Sequence, residues 1–512
     1  MSIDAATAPR IIAVIGTGTM GRGIIQVAAS GGLDVIAFDE KAGAAAAAKA
    51  YIETILGGLV AKGRLAATEA KSTLARITIA ADLAAVAPAE VVIEAIVERL
   101  DAKQALLAKL ERIVAPGAIL ASNTSSIPIT AMASACRHPE RVAGLHFFNP
   151  VPVMKLVEVI PGLKTAPAAT DALMKLAVRM TREPILCRDS PGFIVNHVGR
   201  GLLTEAPRIL AERIAAPHEI DAILTGAPGF RIGMFALADL VGLDVSHGVM
   251  ESFDKLFYGE PMFQPSPLTA QRVAAGLLGR KTGAGWYVYD GDKRVEPPLR
   301  ATPPRSTLPF FVRDNTHMPS FRPALVELLA KGGVTIESGE KPSASAVQVL
   351  MQVGYDLTTA IYELKLDPAR TVSVDLLFGL KGPRTLMVTP ATAPEYRDAA
   401  HAALSPDGQP VIVIGDSPGY VAQRVVAQII NVACGIAQRG IASPADIDKG
   451  ARLGLGYPYG PIEWGDRLGP ARVLFILERL HAFYGDPRYR PSPWLKRRAQ
   501  LGLPLGTPDG HR

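Results

Sequence analysis

The sequence predicts an α/β domain with a doubly wound sheet, followed by all-α domains in which one helical module occurs twice. Three observations lead to this fold class. Short apolar runs alternate with helical patterns between residues 11 and 189, and the strand signals stop after Asp189. A helical pattern then returns at an offset of 227 residues. Alternating elements of this kind favour a mainly parallel sheet, and a fixed offset indicates a duplicated module.

The composition excludes several classes of partner. The 54 basic and 48 acidic residues are interspersed, so the net charge of +6 does not form a nucleic-acid-binding tract. The three cysteines are far apart and predict neither a disulfide framework nor a metal site. No leader-like apolar segment and no apolar run of membrane-spanning length stands out. We therefore expect a cytoplasmic protein without a nucleic-acid or membrane partner.

The first element pair carries a phosphate-binding pattern. The strand-like run "IIAVI" (11–15) leads into "GTGTMGRG", in which Gly16, Gly18 and Gly21 fit G-x-G-x-x-G before a predicted helix. Such a turn is typical of a Rossmann-type dinucleotide site. The next run, "LDVIAFD", ends at Asp39, whose carboxylate would bind a ribose hydroxyl and repel a 2′-phosphate. NAD is therefore favoured over NADP, although the nearby Lys41 leaves NADP open.

Polar residues follow the later predicted strands at their carboxyl ends, where doubly wound sheets bind ligands. The strands are predicted within 89–98, 118–126, 141–150, 155–160 and 184–189. Ser125, His146 and Asn149 come at or just after strand ends, and Glu98 and Lys103 bracket another. His146 and Glu158 lie in two consecutive apolar runs, which are predicted to be adjacent strands.

The repeat defines the rest of the chain. "DSPGFIVNHV" (189–198) returns as "DSPGYVAQRV" (416–425), and between the helical copies lies a degenerate α/β segment without a glycine fingerprint. In that segment "SAVQVLMQVGYDLTTAIYEL" (345–364) is predicted to be a helix. At the offset of 227, Ser373, Thr385 and Gln423 replace His146, Glu158 and Asn196, so the second copy is expected to be non-catalytic. The predicted domains are 1–187 (dinucleotide-binding), 188–296 (helical), 297–410 (degenerate α/β) and 411–512 (second helical copy).

A hydrolase is the competing class. Gly415–Gly419 reads G-x-S-x-G between a strand and a helix, which is the context of a nucleophile elbow around Ser417. Pro418 follows the serine, however, and proline has no N–H to build an oxyanion hole. The same "DSPG" begins the first helical copy, so a helix start is the preferred interpretation.

Six motifs in order resemble the 3-hydroxyacyl-CoA dehydrogenase family. They are "GTGTMGRGI", "EAIVERLDAK", "ASNTSSI", "GLHFFNPVPVMKLVEVI", "DSPGFIVN" and "GRKTGAGWY". The two helical copies are similar to the long bacterial form, which includes 3-hydroxyadipyl-CoA dehydrogenases of phenylacetate catabolism. The resemblance implies NAD-dependent oxidation of an (S)-3-hydroxyacyl-CoA in fatty-acid β-oxidation or phenylacetate degradation. A 3-hydroxybutyryl-CoA dehydrogenase remains the alternative.

The resemblance also implies roles for individual residues. His146 would be the general acid/base, Glu158 its partner, and Asn196 and Ser125 substrate contacts. The implied cofactor set, beyond the three glycines, is Asp39, Glu98, Lys103, Ser125, Asn149 and Lys281. The family's coenzyme A contacts match poorly before residue 70, where Lys62 is the candidate; His138, His197 and His247 are expected to be structural. Helical domains of this family commonly make the dimer contact, so we expect either a monomer with an internal pseudo-dimer or a homodimer.

Overall fold

The described part of the chain forms two compact units. A computed structural model describes residues 8–314 and 321–510, so the predicted absence of a leader partly concerns residues outside this range. The first unit comprises Met1–His197 and Arg439–Leu455, and the second comprises Val198–Gln438 and Gly456–Arg512. A segment of the second helical copy therefore belongs to the same unit as the dinucleotide-binding fold.

An eight-stranded sheet organises the first unit, in the order β3-β2-β1-β4-β5-β6-β7-β8. Adjacent strands of this sheet are parallel, except that β6 and β7 are antiparallel. This arrangement confirms the predicted doubly wound α/β domain. The strands are β1 (Ile11–Ile15), β2 (Asp34–Phe38), β3 (Ile77–Ile79), β4 (Val91–Glu94), β5 (Ile119–Ser122), β6 (Val142–Phe147), β7 (Leu156–Pro161) and β8 (Glu183–Leu186).

Helices cover this sheet and contribute apolar residues to its core. They are α1 (Thr19–Ser30), α2 (Ala44–Ala61), α3 (Ala67–Ala75), α4 (Leu100–Ile113), α5 (Ile129–Ala133), α6 (Pro167–Arg179) and, from the second copy, α16 (Pro444–Gly454). Among the described helices, α2 alone has the length and composition of a membrane span, with a mean hydropathy of 1.3. Ile52 and Leu56 of α2 pack into the core of the first sheet, as in a core helix, which meets the same criteria of length and composition.

The second unit is mainly helical, as predicted for both copies of the module. Helix α7 (Val195–Ala211) begins in the first unit. The other helices are α8 (Pro217–Gly226), α9 (Met234–Val241), α10 (Leu243–Leu256), α11 (Pro267–Ala274), α12 (Arg322–Lys331), α13 (Leu357–Leu364), α14 (Pro394–Ala403), α15 (Ala422–Gln438), α17 (Pro461–Leu468), α18 (Pro470–Tyr484) and α19 (Pro493–Gln500). A small hairpin joins β9 (Val288–Asp290) to β10 (Lys293–Val295).

The second unit also contains a five-stranded sheet in the order β11-β12-β13-β14-β15, which confirms the degenerate α/β segment. The strands are β11 (Phe310–Val312), β12 (Val347–Leu350), β13 (Thr371–Val374), β14 (Arg384–Met387) and β15 (Val411–Ile414). Successive pairs are parallel, parallel, antiparallel and parallel, which is the pattern of β4 to β8. Within the described residues, this sheet has no counterpart of β1–β3, the half that carries the glycine turn.

The helix predicted over 345–364 is wrong in its first half. Residues 347–350 form the buried strand β12, and α13 begins only at Leu357. Valines at 347 and 349 favour the extended strand over the helix, and Gly354 with φ of +72° interrupts the chain between the two elements. The Asp356 side chain accepts a hydrogen bond from the Thr359 N–H and so fixes the start of α13.

Candidate active site

The three glycines of the turn have three different surroundings. Gly16 adopts φ of +89°, and a Cβ there would lie 2.7 Å from the Ala95 carbonyl oxygen. A Cβ on Gly21 would lie 1.8 Å from the Gly16 carbonyl oxygen, so only glycine lets α1 approach the turn. A Cβ on Gly18, in contrast, would have no heavy atom of another residue within 4 Å. Gly18 therefore leaves open space at the start of α1, which fits a pyrophosphate at a helix N-terminus.

Asp39 lies at the end of β2 beside this turn. Its Oδ2 accepts hydrogen bonds from the Thr17 N–H (2.7 Å) and hydroxyl (2.9 Å), and its Oδ1 accepts from the Lys41 N–H (3.0 Å). Burial raises the pKa of Asp39, but these hydrogen bonds outweigh burial and leave the pKa below its ordinary value. The carboxylate is therefore ionised and can accept hydrogen bonds from a ribose.

A cleft of about 860 Å³ runs along these residues. Gly16, Gly18 and Asp39 line it on one side, and residues of the loop after β4 and of α4 line it on the other. Its size suits a cofactor, since ligand pockets commonly measure roughly 300–1,000 Å³. The open position at Gly18 and the ionised Asp39 both face this cleft, so the residues present fit a dinucleotide.

Glu98 gathers the residues that follow β5. Its Oε1 accepts hydrogen bonds from the Thr124 hydroxyl (2.6 Å) and from the N–H groups of Ser125 (2.9 Å) and Ser126 (3.2 Å). Burial raises the pKa of Glu98. The hydrogen bond from the Thr124 hydroxyl and the charge of the Lys103 ammonium lower it by more, so the pKa is below its ordinary value. The structure thus brings together the predicted residues Glu98, Ser125 and Lys103 at one edge of the sheet.

Lys103 is buried and already engaged by two carboxylates. Its Nζ lies 2.9 Å from both carboxylate oxygens of Glu94 and 3.3 Å from Oε2 of Glu98. Glu94 is fully buried at the end of β4 and also accepts a short hydrogen bond from the Ser122 hydroxyl. Lys103 therefore holds Glu98 in place from beneath, and only Glu98 reaches the surface.

His146 and Glu158 face each other across β6 and β7. The two residues are direct register partners, and His146 Nδ1 lies 2.6 Å from Glu158 Oε2. His146 is 5 % exposed and Glu158 is fully buried. Since a carboxylate only accepts, Nδ1 carries the proton, and Nε2 has no hydrogen-bond partner among the described residues. In the neutral imidazole Nε2 is then the acceptor nitrogen, which is the form needed to take a proton from an alcohol.

The other oxygen of Glu158 is fixed at the start of α7. Oε1 accepts hydrogen bonds from the N–H groups of Ile194 and Val195, both at 2.9 Å. Phe193, just before them, has φ of +50°, and its ring centroid lies 5.8 Å from that of His146. Phe148 packs on the same imidazole at 4.5 Å. The backbone of α7 and two aromatic rings thus hold the pair in one geometry.

The remaining predicted site residues occupy different places. Ser125 and Asn149 are exposed in loops after β5 and β6, and Asn196 is half-buried, one residue beyond Val195 in α7. Lys281 belongs to the second unit and forms an exposed ion pair with Asp244 at 2.5 Å. Lys62 is exposed at the end of α2. Of the predicted set, the structure brings His146 next to Glu158, Glu98 next to Ser125 and Lys103, and Asp39 next to the glycine turn.

Two residues in the neighbourhood were missed by the sequence reasoning. Asn123 Oδ1 accepts a hydrogen bond from the Phe147 N–H at 2.8 Å and ties the loop after β5 to the residue following His146. Glu94 anchors Lys103. Asn123 and Glu94 share the feature by which Glu158 was identified: each is a polar residue in or just after an apolar strand. Glu94 is also the first residue of the motif "EAIVERLDAK".

The second sheet contains a related but altered pair. Glu158 is opposite Ile185 and Thr385 is opposite Ile412, so Thr385 has the place of Glu158. Continuing the β13–β14 register puts Asp375 opposite Thr385, and the Asp375 N–H donates to the Thr385 carbonyl at 3.1 Å. The predicted match of His146 to Ser373 is therefore wrong by two residues, because the connection between these strands is two residues shorter in the second copy.

Asp375 is not a free acid in a cleft. Gln423, the predicted counterpart of Asn196, donates from Nε2 to Asp375 Oδ1 at 2.9 Å, and the Leu377 N–H donates to the same oxygen at 3.0 Å. Burial raises the pKa of Asp375 to about 6, against these hydrogen bonds. The second copy thus retains a buried polar pair where the first has its histidine.

The geometry at Ser417 disfavours the hydrolase interpretation. Ser417 is fully buried, and its Oγ accepts a hydrogen bond from Arg424 Nη1 at 3.1 Å. Arg424 is itself held by Glu205 and Glu212 in the second unit. A nucleophile has to be reached by substrate and paired with a base, and Ser417 has an arginine as its partner instead.

Known proteins resemble this chain over most of its length. The chain matches the NAD binding domain of 3-hydroxyacyl-CoA dehydrogenases over residues 11–190 and their C-terminal domain over residues 192–289 and 419–510. It is 40% identical to the 3-hydroxyadipyl-CoA dehydrogenase of Escherichia coli K12 over 96% of this chain and 97% of that protein. The chain belongs to the 3-hydroxyacyl-CoA dehydrogenase family.

Its reaction class follows from this membership: the chain is an NAD-dependent oxidoreductase acting on 3-hydroxyacyl-CoA. A crystal structure described as 3-hydroxybutyryl-CoA dehydrogenase from Escherichia coli K12 superposes with a TM-score of 0.84 and 38% identity, covering 96% of this chain and 98% of that one. A probable 3-hydroxybutyryl-CoA dehydrogenase of Deinococcus radiodurans is 44% identical over 54% of this chain and 99% of its own length. The names of these relatives differ in the acyl chain.

Proposed function

We propose that this chain oxidises the 3-hydroxyl group of an (S)-3-hydroxyacyl-CoA to a 3-oxo group, with His146 as the general base. The observation that carries the proposal is the contact of 2.6 Å between His146 Nδ1 and Glu158 Oε2. In this contact Nδ1 donates its proton to the Glu158 carboxylate, so Nε2 of the neutral ring can accept the proton of the substrate hydroxyl. NAD, when bound, accepts the hydride from C3.

Glu158 acts as a positioning residue in this proposal. Its two backbone hydrogen bonds fix one oxygen, so the other oxygen sets the orientation of the imidazole and stabilises the imidazolium that forms on proton transfer. Because Glu158 is fully buried, its charge acts on His146 with little screening by water.

Residues around the pair would bind substrate and cofactor. Ser125 and Asn196, as the family resemblance implies, would hold the substrate oxygens and orient C3. Asp39 and Gly18 would hold the ribose and pyrophosphate. Glu98, kept in place by Lys103, would contact the cofactor together with Asn149.

The acyl chain is proposed to be that of 3-hydroxyadipyl-CoA, in phenylacetate degradation. The nearly full-length match to the relative of that name supports this assignment. The 3-hydroxybutyryl-CoA alternative is supported by the name of the matching crystal structure. Initial rates of NADH oxidation with acetoacetyl-CoA, longer 3-oxoacyl-CoA and 3-oxoadipyl-CoA separate the two. A kcat/KM higher for 3-oxoadipyl-CoA than for acetoacetyl-CoA supports the first, and the reverse order supports the second.

We further propose that the protein is cytoplasmic and that the two helical copies form an internal pseudo-dimer. The composition of the second compact unit supports this arrangement, because that unit contains helices from both copies. The predicted domains 1–187, 188–296, 297–410 and 411–512 would then be sequence modules that share packing. Sedimentation equilibrium should give the mass of one chain, about 54 kDa. A mass of two chains would favour the homodimer.

The His146→Ala variant tests the proposed reaction directly. General acid–base catalysis contributes about 10²–10⁴-fold, so kcat should fall by about that factor while NADH binding, followed by fluorescence, is retained. His138→Ala is the matched control, because His138 forms an exposed pair with Glu140 at 3.0 Å, a His–Glu contact outside the cleft. Full NAD-linked turnover by His146→Ala would contradict the proposal.

A further inference from the structure

Helix α16 comes from the second helical copy but packs against the strand that contains Glu158 and against the next strand, β8. It belongs to the first compact unit and contacts β7 and β8. The Arg188 N–H, just after β8, donates to the Ile441 carbonyl at 2.8 Å, which ties the segment before α16 to the sheet. The helix therefore lies on the strand that contains Glu158.

The face of α16 that packs on the sheet includes two glycines. Ile447, Gly450, Ala451 and Gly454 recur at helical spacing and so lie on one face. At the offset of 227, Ile223 of the corresponding helix α8 and Ala227, which follows that helix, have the places of Gly450 and Gly454. Glycine disfavours a helix, so its presence at both places calls for a packing reason.

The two glycines pack against the residues whose backbone binds Glu158. A Cβ on Gly454 would lie 2.8 and 2.9 Å from the two Cγ atoms of Val195 and 3.0 Å from Leu156 Cδ2. A Cβ on Gly450 would lie 3.0 Å from Ile194 Cγ2 and 3.0 Å from Ile185 Cδ1. Ile194 and Val195 are the residues whose N–H groups donate to Glu158 Oε1.

Both glycines also approach residues of the sheet. Ile185 is the register partner of Glu158 across β7–β8, and Leu156 lies on the same face of β7 as Glu158. The glycine face thus meets the start of α7, the strand β7 that contains Glu158, and the neighbouring strand β8. A Cβ at 450 or 454 would therefore require the facing side chains to move.

We infer that Gly450 and Gly454 are positioning residues for the reaction, acting through the Ile194–Val195 backbone on Glu158 and then on His146. The second copy thereby supports the active site of the first, although it has no histidine of its own at the matching place. The inference rests on the proposed function, because it requires that the His146–Glu158 pair perform the chemistry.

The test is a Gly454→Ala variant with its matched control. The added methyl requires a shift of several tenths of an ångström in Val195, and misplacement on the ångström scale costs about 10²-fold in rate. We expect kcat to fall about tenfold, with the KM for NAD unchanged. Gly450→Ala, with longer contacts, should show a smaller loss in the same direction. Gly435→Ala in α15 is the control, because a Cβ there has no heavy atom of another residue within 4 Å.

A double-variant cycle separates positioning from a general loss of stability. Val195→Ala removes the two Cγ atoms that Gly454→Ala would meet and keeps the N–H to Glu158. In the Val195→Ala background, Gly454→Ala should change kcat less than twofold. The same tenfold loss in both backgrounds, or no loss in either, would overturn the inference. If Gly454→Ala fails to fold alone, recovery of a folded, active enzyme in the double variant supports it.

The outcome also differs from a failure of the proposed function. If His146→Ala is inactive and Gly454→Ala has wild-type kcat, the positioning inference fails and the reaction stands. If His146→Ala retains full turnover, the reaction assignment fails, whatever the glycine variants do.

Discussion

Asp375 lies in the second sheet at the place that His146 has in the first, and Gln423 donates to it as the counterpart of Asn196. The second sheet therefore has a polar contact between the residue that follows β13 and helix α15. In the first copy this place carries a base with a carboxylate partner. In the second it carries an acid whose partner at the place of Glu158 is Thr385, so the proton-transfer pair is not reproduced.

The raised pKa of Asp375 predicts a pH-dependent stability. Burial raises the folded-state pKa from 3.8 to about 6, so the protonated acid stabilises the fold at low pH and this contribution is lost as pH rises through about 6. Asp375→Asn keeps the acceptor oxygen without the charge. It should raise the free energy of unfolding at pH 7.5 by on the order of 3 kcal/mol, with the gain vanishing toward pH 4.

Urea denaturation at several pH values measures this gain. Asp290→Asn, on the exposed strand β9, is the control and should change stability little at any pH. Part of the pH dependence will persist in Asp375→Asn, because burial also raises the pKa of Asp221 to about 6. A destabilised Asp375→Asn at pH 7.5 would mean that the ionised form is favoured in the fold.

Glu158→Gln should lower kcat by about 10²–10⁴-fold. The glutamine oxygen can still accept from Ile194 and Val195, so its NH₂ group faces His146 Nδ1 and forces the ring proton to Nε2. The ring then cannot accept a proton from substrate, as with the wrong tautomer in other His–carboxylate sites. Steady-state kinetics and NADH fluorescence should show the loss in kcat alone. Glu140→Gln, in the exposed pair, should behave as wild type.

Asp39→Ser should weaken the preference for NAD over NADP. The ionised carboxylate repels a 2′-phosphate and binds the 2′-hydroxyl, and serine does neither as strongly. We expect the ratio of kcat/KM for NAD to that for NADP to fall at least about tenfold. Asp34→Ser, at the exposed start of the same strand, is the control. An unchanged ratio would place the ribose elsewhere.

Ser417→Ala should leave NAD-linked turnover within twofold of wild type. Ser417 is fully buried and serves as an acceptor for Arg424, which keeps its contacts to Glu205 and Glu212 in the variant. Neither wild type nor variant should hydrolyse acyl-CoA thioesters, measured by thiol release. Thioester hydrolysis that disappears in Ser417→Ala would revive the hydrolase interpretation.

The sequence predicted the parts of this site that depend on local pattern. The glycine turn follows from a short motif. Short-range apolar patterns predict the adjacent strands of His146 and Glu158 and the α/β character of the middle segment. The match of Ser373 to His146 failed because a shorter strand connection moves the register, and no local pattern reports a deletion inside a degenerate repeat. The packing of Gly450 and Gly454 on Ile194 and Val195 was also beyond prediction, since it joins residues more than 250 positions apart.

Lys103→Met should destabilise the fold by about 3–5 kcal/mol, because it leaves the fully buried Glu94 without its cation. Urea denaturation should show the loss, and Glu94→Gln should recover part of it in the double variant, since the amide carries no charge. Lys109→Met, on the exposed side of the same helix, should change stability by less than about 0.5 kcal/mol. A Lys103→Met variant as stable as wild type would show that Glu94 is neutral in the fold, and Lys103 would then be available for direct contact with the cofactor.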